Sequence, residues 1–167
     1  TITVDTENEK YVSEDNVLFN KDKTTLVFYA TGKKDSSYII PSSVRRIGKN
    51  AFAYTQELLE ITIPETVKTI EDDAFFSCDN LEIVTISNGV EEIGSAAFFG
   101  CRMLQSIEIP QSVTKIGAEA FGQCGHLKRA ILPEGITAIK EAMFSNCGCL
   151  EEVYIPKSVQ AIEDYGF

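Results

Sequence analysis

The sequence predicts an α/β solenoid, a stack of coils that each hold a short strand, a second extended segment and a helical turn. Two observations carry this prediction. The first is a pattern that repeats every 23 residues without slippage. Pro41, Pro64, Ser87, Pro110, Pro133 and Pro156 hold one phase of it. Ile47, Ile70, Ile93, Ile116, Ile139 and Ile162 follow by six residues, and Phe52, Phe75, Phe98, Phe121, Phe144 and Phe167 by eleven. The second is alternation just ahead of the proline phase, where Ile61 and Ile63, Val84 and Ile86, and Ile107 and Ile109 flank a polar residue. Spacing by two puts one strand face inward and the other outward.

Residues 1–34 stand outside the strict period and read as an atypical, β-rich unit or cap. Val17–Phe19 and Leu26–Tyr29 form two strands around a polar turn at Asn20–Lys23. Ile2 and Val4 have the spacing of the repeat strand. Thr1 begins in mid-pattern, and Phe167 stops the last repeat halfway, so both ends read as cut from a longer chain or left undefined by disorder.

Residues 35–167 carry the solenoid. Within a unit, Ile61, Val84, Ile107, Ala130 and Val153 share one inward position; Ile63, Ile86, Ile109, Leu132 and Ile155 share another. Proline ends the strand because it cannot donate to a ladder. Where proline is missing, Ser87-Asn88-Gly89 supplies a turn. Val67-x-x-Ile70 is a second short extended segment. Asp73-Ala74-Phe75-Phe76 and its equivalents suit a helical turn, being too short for a helix. Ala precedes Phe in four of the six units, and a small residue beside a large one lets successive rings stack. No unit can bury its Leu, Ile, Val and Phe alone. Stacked at the ~4.8 Å strand spacing, each finds an equivalent above and below. Each such side chain contributes roughly 1.5–3 kcal/mol.

The unit L-x-x-[IV]-x-I-P-x-x-V-x-x-I-x-x-x-A-F-x-x-C resembles the BspA-type (Bacteroides surface protein A) leucine-rich repeat. Leu58, Ile61, Ile63, Pro64, Val67, Ile70, Ala74, Phe75 and Cys78 carry the match, as do Leu104, Ile107, Ile109, Pro110, Val113, Ile116, Ala120, Phe121 and Cys124. Asn16–Tyr29 resembles the longer variant unit that interrupts such arrays. The resemblance implies a right-handed coil with a parallel sheet on its concave face. It also implies a surface-exposed or secreted protein of a host-associated bacterium or protozoan, linked to adhesion and protein binding. Its partner would be another protein, such as a host extracellular-matrix or other surface protein.

On such a fold the outward strand positions form the candidate binding surface. One column is Glu60, Ile83, Ser106, Arg129 and Glu152; a second is Thr62, Thr85, Glu108, Ile131 and Tyr154. These columns vary while the core columns do not. They read either as a mixed binding surface with Ile83, Ile131 and Tyr154 as apolar anchors, or as exposed sheet positions that merely carry β-formers.

Composition narrows the function. The chain has 167 residues and a net charge of −10, from 25 acidic and 15 basic residues. That excess disfavours nucleic acid and anionic membrane surfaces. No apolar run approaches the ~20 residues of a membrane span, and no signal peptide is present. Cys78, Cys101, Cys124 and Cys147 recur every 23 residues. With no C-x-x-C pair and one histidine, they read as a column of buried thiols rather than metal ligands or disulfides. Cys149 falls in a variable linker and reads as the reactive thiol. His126 has no recurring Ser or Asp partner for a triad. Glu71-Asp72-Asp73 and Glu91-Glu92 read as a solvated face rather than a calcium loop. The expected function is a non-catalytic, cofactor-free protein-binding module. A structural spacer or stalk is the alternative, and a glycan-binding domain is disfavoured by the lack of Trp.

Overall fold

The computed structural model describes all residues, 1–167, as fifteen short strands with no helix. Three strands open the chain: β1 (Tyr11–Glu14), β2 (Val17–Asn20) and β3 (Thr25–Tyr29). Each coil then adds two. They are β4 (Ser37–Ile39) and β5 (Arg46–Ile47), β6 (Glu60–Ile63) and β7 (Thr69–Ile70), β8 (Ile83–Ile86) and β9 (Glu92–Ile93), β10 (Ser106–Glu108) and β11 (Lys115–Ile116), β12 (Arg129–Ile131) and β13 (Ala138–Ile139), and β14 (Glu152–Tyr154) and β15 (Ala161–Ile162).

The longer strand of each coil lies ahead of the proline phase and pairs in parallel, in the orders β4-β6-β8 and β10-β12-β14. Registers are offset by one repeat, as in Glu60↔Ile83 and Ser106↔Arg129. The two-residue strands pair in parallel after it, in the orders β3-β5-β7-β9-β11 and β13-β15. The extended segment expected at Val67-x-x-Ile70 is thus the strand β7 in a second sheet.

Helical turns, and with them the α/β class, are not what the chain forms: it is a β-solenoid. At Asp73–Phe76 and its equivalents the chain turns without a helix. Backbone φ is positive nine residues after each proline-phase residue, at Asn50, Asp73, Ala96, Glu119, Ala142 and Tyr165. It is positive again four residues later, at Tyr54, Ser77, Gly100, Gln123 and Asn146. A left-handed residue at each end of the segment breaks a right-handed helix. The hydrogen bonds give the reason. The N–H of Asp73, Phe75 and Ser77 donate to the carbonyls of Ser95, Ala97 and Phe99 on the next coil, while those of Ala74, Phe76 and Cys78 donate three residues back. A helix would aim all six N–H groups along its own axis rather than across to the next coil. It would also be ~10–12 Å wide, against a coil spacing of ~4.8 Å.

Forty-one buried residues form one continuous core. The phenylalanine rings run along it as a stack, with centroids 4.8 Å apart at Phe52–Phe75, 4.9 Å at Phe75–Phe98 and 5.5 Å at Phe98–Phe121. Tyr29 is its first member, stacked on Phe52 at 4.9 Å. Tyr29 also donates its N–H to the Ala51 carbonyl, as each phenylalanine does to the following coil.

The N-terminal unit differs in part from expectation. β2 and β3 lie where the two strands were expected, and the turn between them includes Lys23 in the left-handed region. Ile2 and Val4 do not form a repeat strand. Their N–H groups donate instead to side chains, Asn16 Oδ1 and Ser13 Oγ. A third strand, β1, pairs antiparallel with β2. Lys33 ties this unit to the first coil. Its side chain is 6% exposed and reaches Asp15 at 2.5 Å and Asp35 at 2.6 Å.

Candidate functional site

Alternation along the longer strands settles which side chains face outward. Ile61, Val84, Ile107 and Ala130 are buried, and Val153 is half-buried at the last strand. Their neighbours point away from the core. Glu60, Ile83, Ser106, Arg129 and Glu152 are all exposed; so are Thr85, Glu108 and Tyr154, while Thr62 and Ile131 are half-buried. Register then assembles the columns. Glu60 lies beside Ile83, Ser106 beside Arg129 and Arg129 beside Glu152; Thr62 lies beside Thr85, Glu108 beside Ile131 and Ile131 beside Tyr154. β4 adds a row beyond the two predicted columns, with Ser37 beside Glu60 and Ile39 beside Thr62. Ile39 is 73% exposed, more than Ile83 or Tyr154. Its signal was present in Ile39-Ile40-Pro41, in phase with Thr62-Ile63-Pro64, but Tyr38 in place of isoleucine at the inward position obscured it.

The face is not one uninterrupted sheet. No ladder register joins β8 to β10. The bond from the Gln105 N–H to the Glu82 carbonyl stretches to 3.5 Å there, against 2.9 Å for its counterparts Glu82 to Leu59 and Lys128 to Gln105. A cleft of about 400 Å³ opens at the break, lined by Thr85, Asn88, Ser106, Glu108 and Gln111 over Val84, Ile86, Ile109 and Pro110. The cause lies in the one coil without proline. The Ser87 N–H, which proline would lack, donates back to the Ile63 carbonyl at 3.0 Å. Two residues on, Gly89 has φ 145° and lies so close to the preceding coil that a Cβ would sit 2.0 Å from the Glu65 carbonyl oxygen. This coil is drawn toward its predecessor and away from its successor.

A second aromatic ledge lies on the turn side, where Tyr54 meets Phe76 edge-on at 5.7 Å and Phe76 stacks on Phe99 at 5.3 Å. Gly122 ends it, since a Cβ there would lie 2.9 Å from the Phe99 ring. The pair Phe76 and Phe99, 23 residues apart, was its sequence signal.

The cysteines take the arrangement their period implies. Cys78, Cys101, Cys124 and Cys147 are buried and free, and Cys149 is exposed. Each buried thiol donates to a phenylalanine carbonyl of the preceding coil, from Cys78 to Phe52 at 3.0 Å through Cys147 to Phe121 at 3.1 Å. Burial pushes the Cys78 thiol up to about 12 and Cys101 well above the ordinary thiol range. Cys124 is also raised, by its hydrogen bond to the Cys147 sulfur and by burial. His126 Nδ1 lies 2.9 Å from the Arg102 carbonyl. Glu71 and Asp72 accept backbone N–H bonds from the adjoining coils, at Lys49 and Ser95. No group of three or more His, Cys, Asp or Glu is placed to hold a metal ion, and no helix is long and apolar enough to cross a membrane.

Coils of 23 residues, two parallel strands per coil and a stacked ring at the turn define a leucine-rich repeat solenoid. The profile of the BspA type leucine rich repeat region matches in six copies, over residues 26–118 and 45–167, and the chain belongs to that family. A leucine-rich repeat protein of Bacteroides ovatus is 34% identical, with a TM-score of 0.77 over 90% of this chain and 40% of its own. A leucine rich cell surface protein of Faecalibacterium prausnitzii is 33% identical, with a TM-score of 0.82 over 94% of this chain and 40% of its own. The pneumococcal vaccine antigen PcpA is 25% identical, with a TM-score of 0.86 over 98% of this chain and 45% of its own. The chain therefore spans less than half the length of each of these three structures. No curated protein matches it.

Proposed function

We propose that the chain is a non-catalytic protein-binding module that uses the outward face of β4, β6, β8, β10, β12 and β14, displayed at a cell surface as an adhesin-like protein. One observation carries this reading. The outward columns differ chemically from coil to coil, while the inward columns hold Ile, Val, Leu or Ala on a continuous core, with Tyr38 of β4 the one exception. Ile39, Ile83 and Tyr154, all more than half exposed, would act as apolar anchors together with half-buried Ile131, among Glu60, Glu108, Arg129 and Glu152. Apolar anchors within a polar surround suit a protein partner, such as a host matrix or other surface protein. Surface display draws on the family and on the relative described as a cell surface protein. Residues 1–34 would serve as the cap of the first coil.

The test is a double variant, Ile131→Asp with Tyr154→Asp, measured against a partner captured by the unaltered chain. The fold should persist and binding should fall at least tenfold. Undiminished binding would remove this face from consideration. A spacer role is the second reading. It is favoured by ion pairs that link successive coils, among them Lys34–Glu57, Lys68–Glu91, Arg129–Glu152 and Lys140–Glu163. A spacer would bind no partner through either column.

A further inference from the structure

We propose that the cleft at the break between β8 and β10 is an arginine-side-chain pocket, which receives a guanidinium from a protein partner seated on the strand face. The proposal rests on the reading of that face as a binding surface and names its point of specificity.

The cleft is a consequence of the chain's own irregularity. Five of the six coils carry proline at one phase, and the sixth carries Ser87-Asn88-Gly89. The Ser87 N–H and the close approach of Gly89 to Glu65 draw that coil backward. The ring stack loosens from this boundary onward, from 4.9 Å at Phe75–Phe98 to 5.5 Å at Phe98–Phe121, 5.7 Å at Phe121–Phe144 and 5.8 Å at Phe144–Phe167. Ser112 holds the outer edge of the boundary, accepting from the Gly89 N–H at 2.9 Å and donating to the Val90 carbonyl at 2.7 Å. The gap therefore opens on the strand side.

Its chemistry is that of an acceptor-rich site with one charge. Thr85, Asn88, Ser106 and Glu108 line it, and no other protein group engages their side chains. The Gln111 carbonyl oxygen accepts from the Glu134 N–H at 2.9 Å, which holds that amide at the rim. The cation one coil on does not neutralise Glu108, because the Arg129 Nε pairs with Glu152 at 3.0 Å. A guanidinium offers five donors in a planar fork, and a carboxylate ringed by hydroxyl and amide oxygens can accept them. Ile83 occupies the same column as Ser106 across the break and is 51% exposed, which gives the aliphatic stem a surface to lie on. The cleft lining has no aromatic ring, so the stacking platform a sugar favours is missing.

The experiment is a ¹H–¹⁵N NMR titration of the full chain with acetyl-Gly-Arg-Gly-amide. The citrulline and lysine counterparts and glucose serve as comparison probes. Saturable shifts are expected at Thr85, Asn88, Ser106 and Glu108, strongest with arginine and reduced by salt. Glu108→Gln should weaken binding at least about fivefold with an unchanged fold. Ser106→Phe, which fills an exposed position, should abolish it. Shifts that are absent, that lie elsewhere, that appear equally with citrulline or glucose, or that survive both substitutions would overturn the proposal. A captured partner lost with Ile131→Asp and Tyr154→Asp but indifferent to Glu108→Gln would sink the pocket and leave the wider face intact.

Discussion

The rings of Phe75 and Phe98 lie 4.9 Å apart and 3° from parallel, although 23 residues separate them in sequence. Each is fully buried, and each belongs to a different coil. Truncation of Phe98 to alanine leaves a cavity between two rings that backbone hydrogen bonds hold in place, so collapse is restricted. The expected cost is about 3–5 kcal/mol. Chemical denaturation of Phe98→Ala measures it, and an unchanged midpoint would contradict the stacked core.

The thiols should divide one against four. Cys149 is exposed, while Cys78, Cys101, Cys124 and Cys147 are buried and donate to carbonyls. Cys78, Cys101 and Cys124 are held above the ordinary thiol range, where little thiolate forms, whereas Cys147 is lowered by its hydrogen bond with Cys124 and is protected by burial alone. Titration of the native chain with a thiol reagent should therefore consume one equivalent quickly, and denaturation should release the other four. Five fast equivalents from folded protein would refute the buried column.

Stability should fall at alkaline pH. Burial pushes Tyr29 and Tyr38 up to about 12. Burial works against the charge of Lys33, but its hydrogen bonds to Asp15 and Asp35 outweigh this and raise it above the ordinary lysine value. All three groups hold their protons to higher pH in the folded chain than in the unfolded one. Their contribution is complete below the unfolded values of about 10 and is lost as pH rises toward the folded ones. Urea midpoints should be level near pH 8 and drop between pH 10 and 12, and Tyr38→Phe should flatten that drop. A midpoint constant to pH 12 would contradict the proton linkage of this network.

Gly89→Ala should be costly out of proportion to its single methyl. The position combines φ 145° with a Cβ contact of 2.0 Å to Glu65. Backbone strain of this kind costs about 1–3 kcal/mol, and the clash adds to it. Thermal unfolding should show the loss. Gly125→Ala, where a Cβ meets nothing within 4 Å, should change little.

The period made most of the solenoid readable before any coordinates, because stacking forces one residue type to recur wherever a side chain must meet its own equivalent. Phe, Ile and Cys obey that constraint, and so the core, the two strands per coil and the thiol column were foreseeable. The helical turns were not correct. Asp73–Phe76 has helix-compatible residues, but its geometry is decided by the N–H bonds to the next coil, which composition does not record. Tyr29 carries no such signal, because the atypical unit places it 23 residues before Phe52 without the surrounding motif. The candidate face was largely readable as alternation, apart from Ile39. Its cleft was not, since Ser87 reads as a tolerated gap in the proline column until the Ser87 N–H is seen donating to Ile63.

The donor pattern at the turns has one more consequence. Tyr29, Phe52, Phe75, Phe98, Phe121 and Phe144 each donate an N–H to the coil that follows and none to the coil that precedes. Peptide dipoles along this edge therefore add like those of a helix, whose ends carry opposite partial charges. Along the strands the sense is reversed, with Glu60, Lys68, Glu71 and Glu82 donating to the coil that precedes. The turn edge is therefore a polar seam in an otherwise balanced rod, and a coil joining either end must match both senses, which admits one orientation.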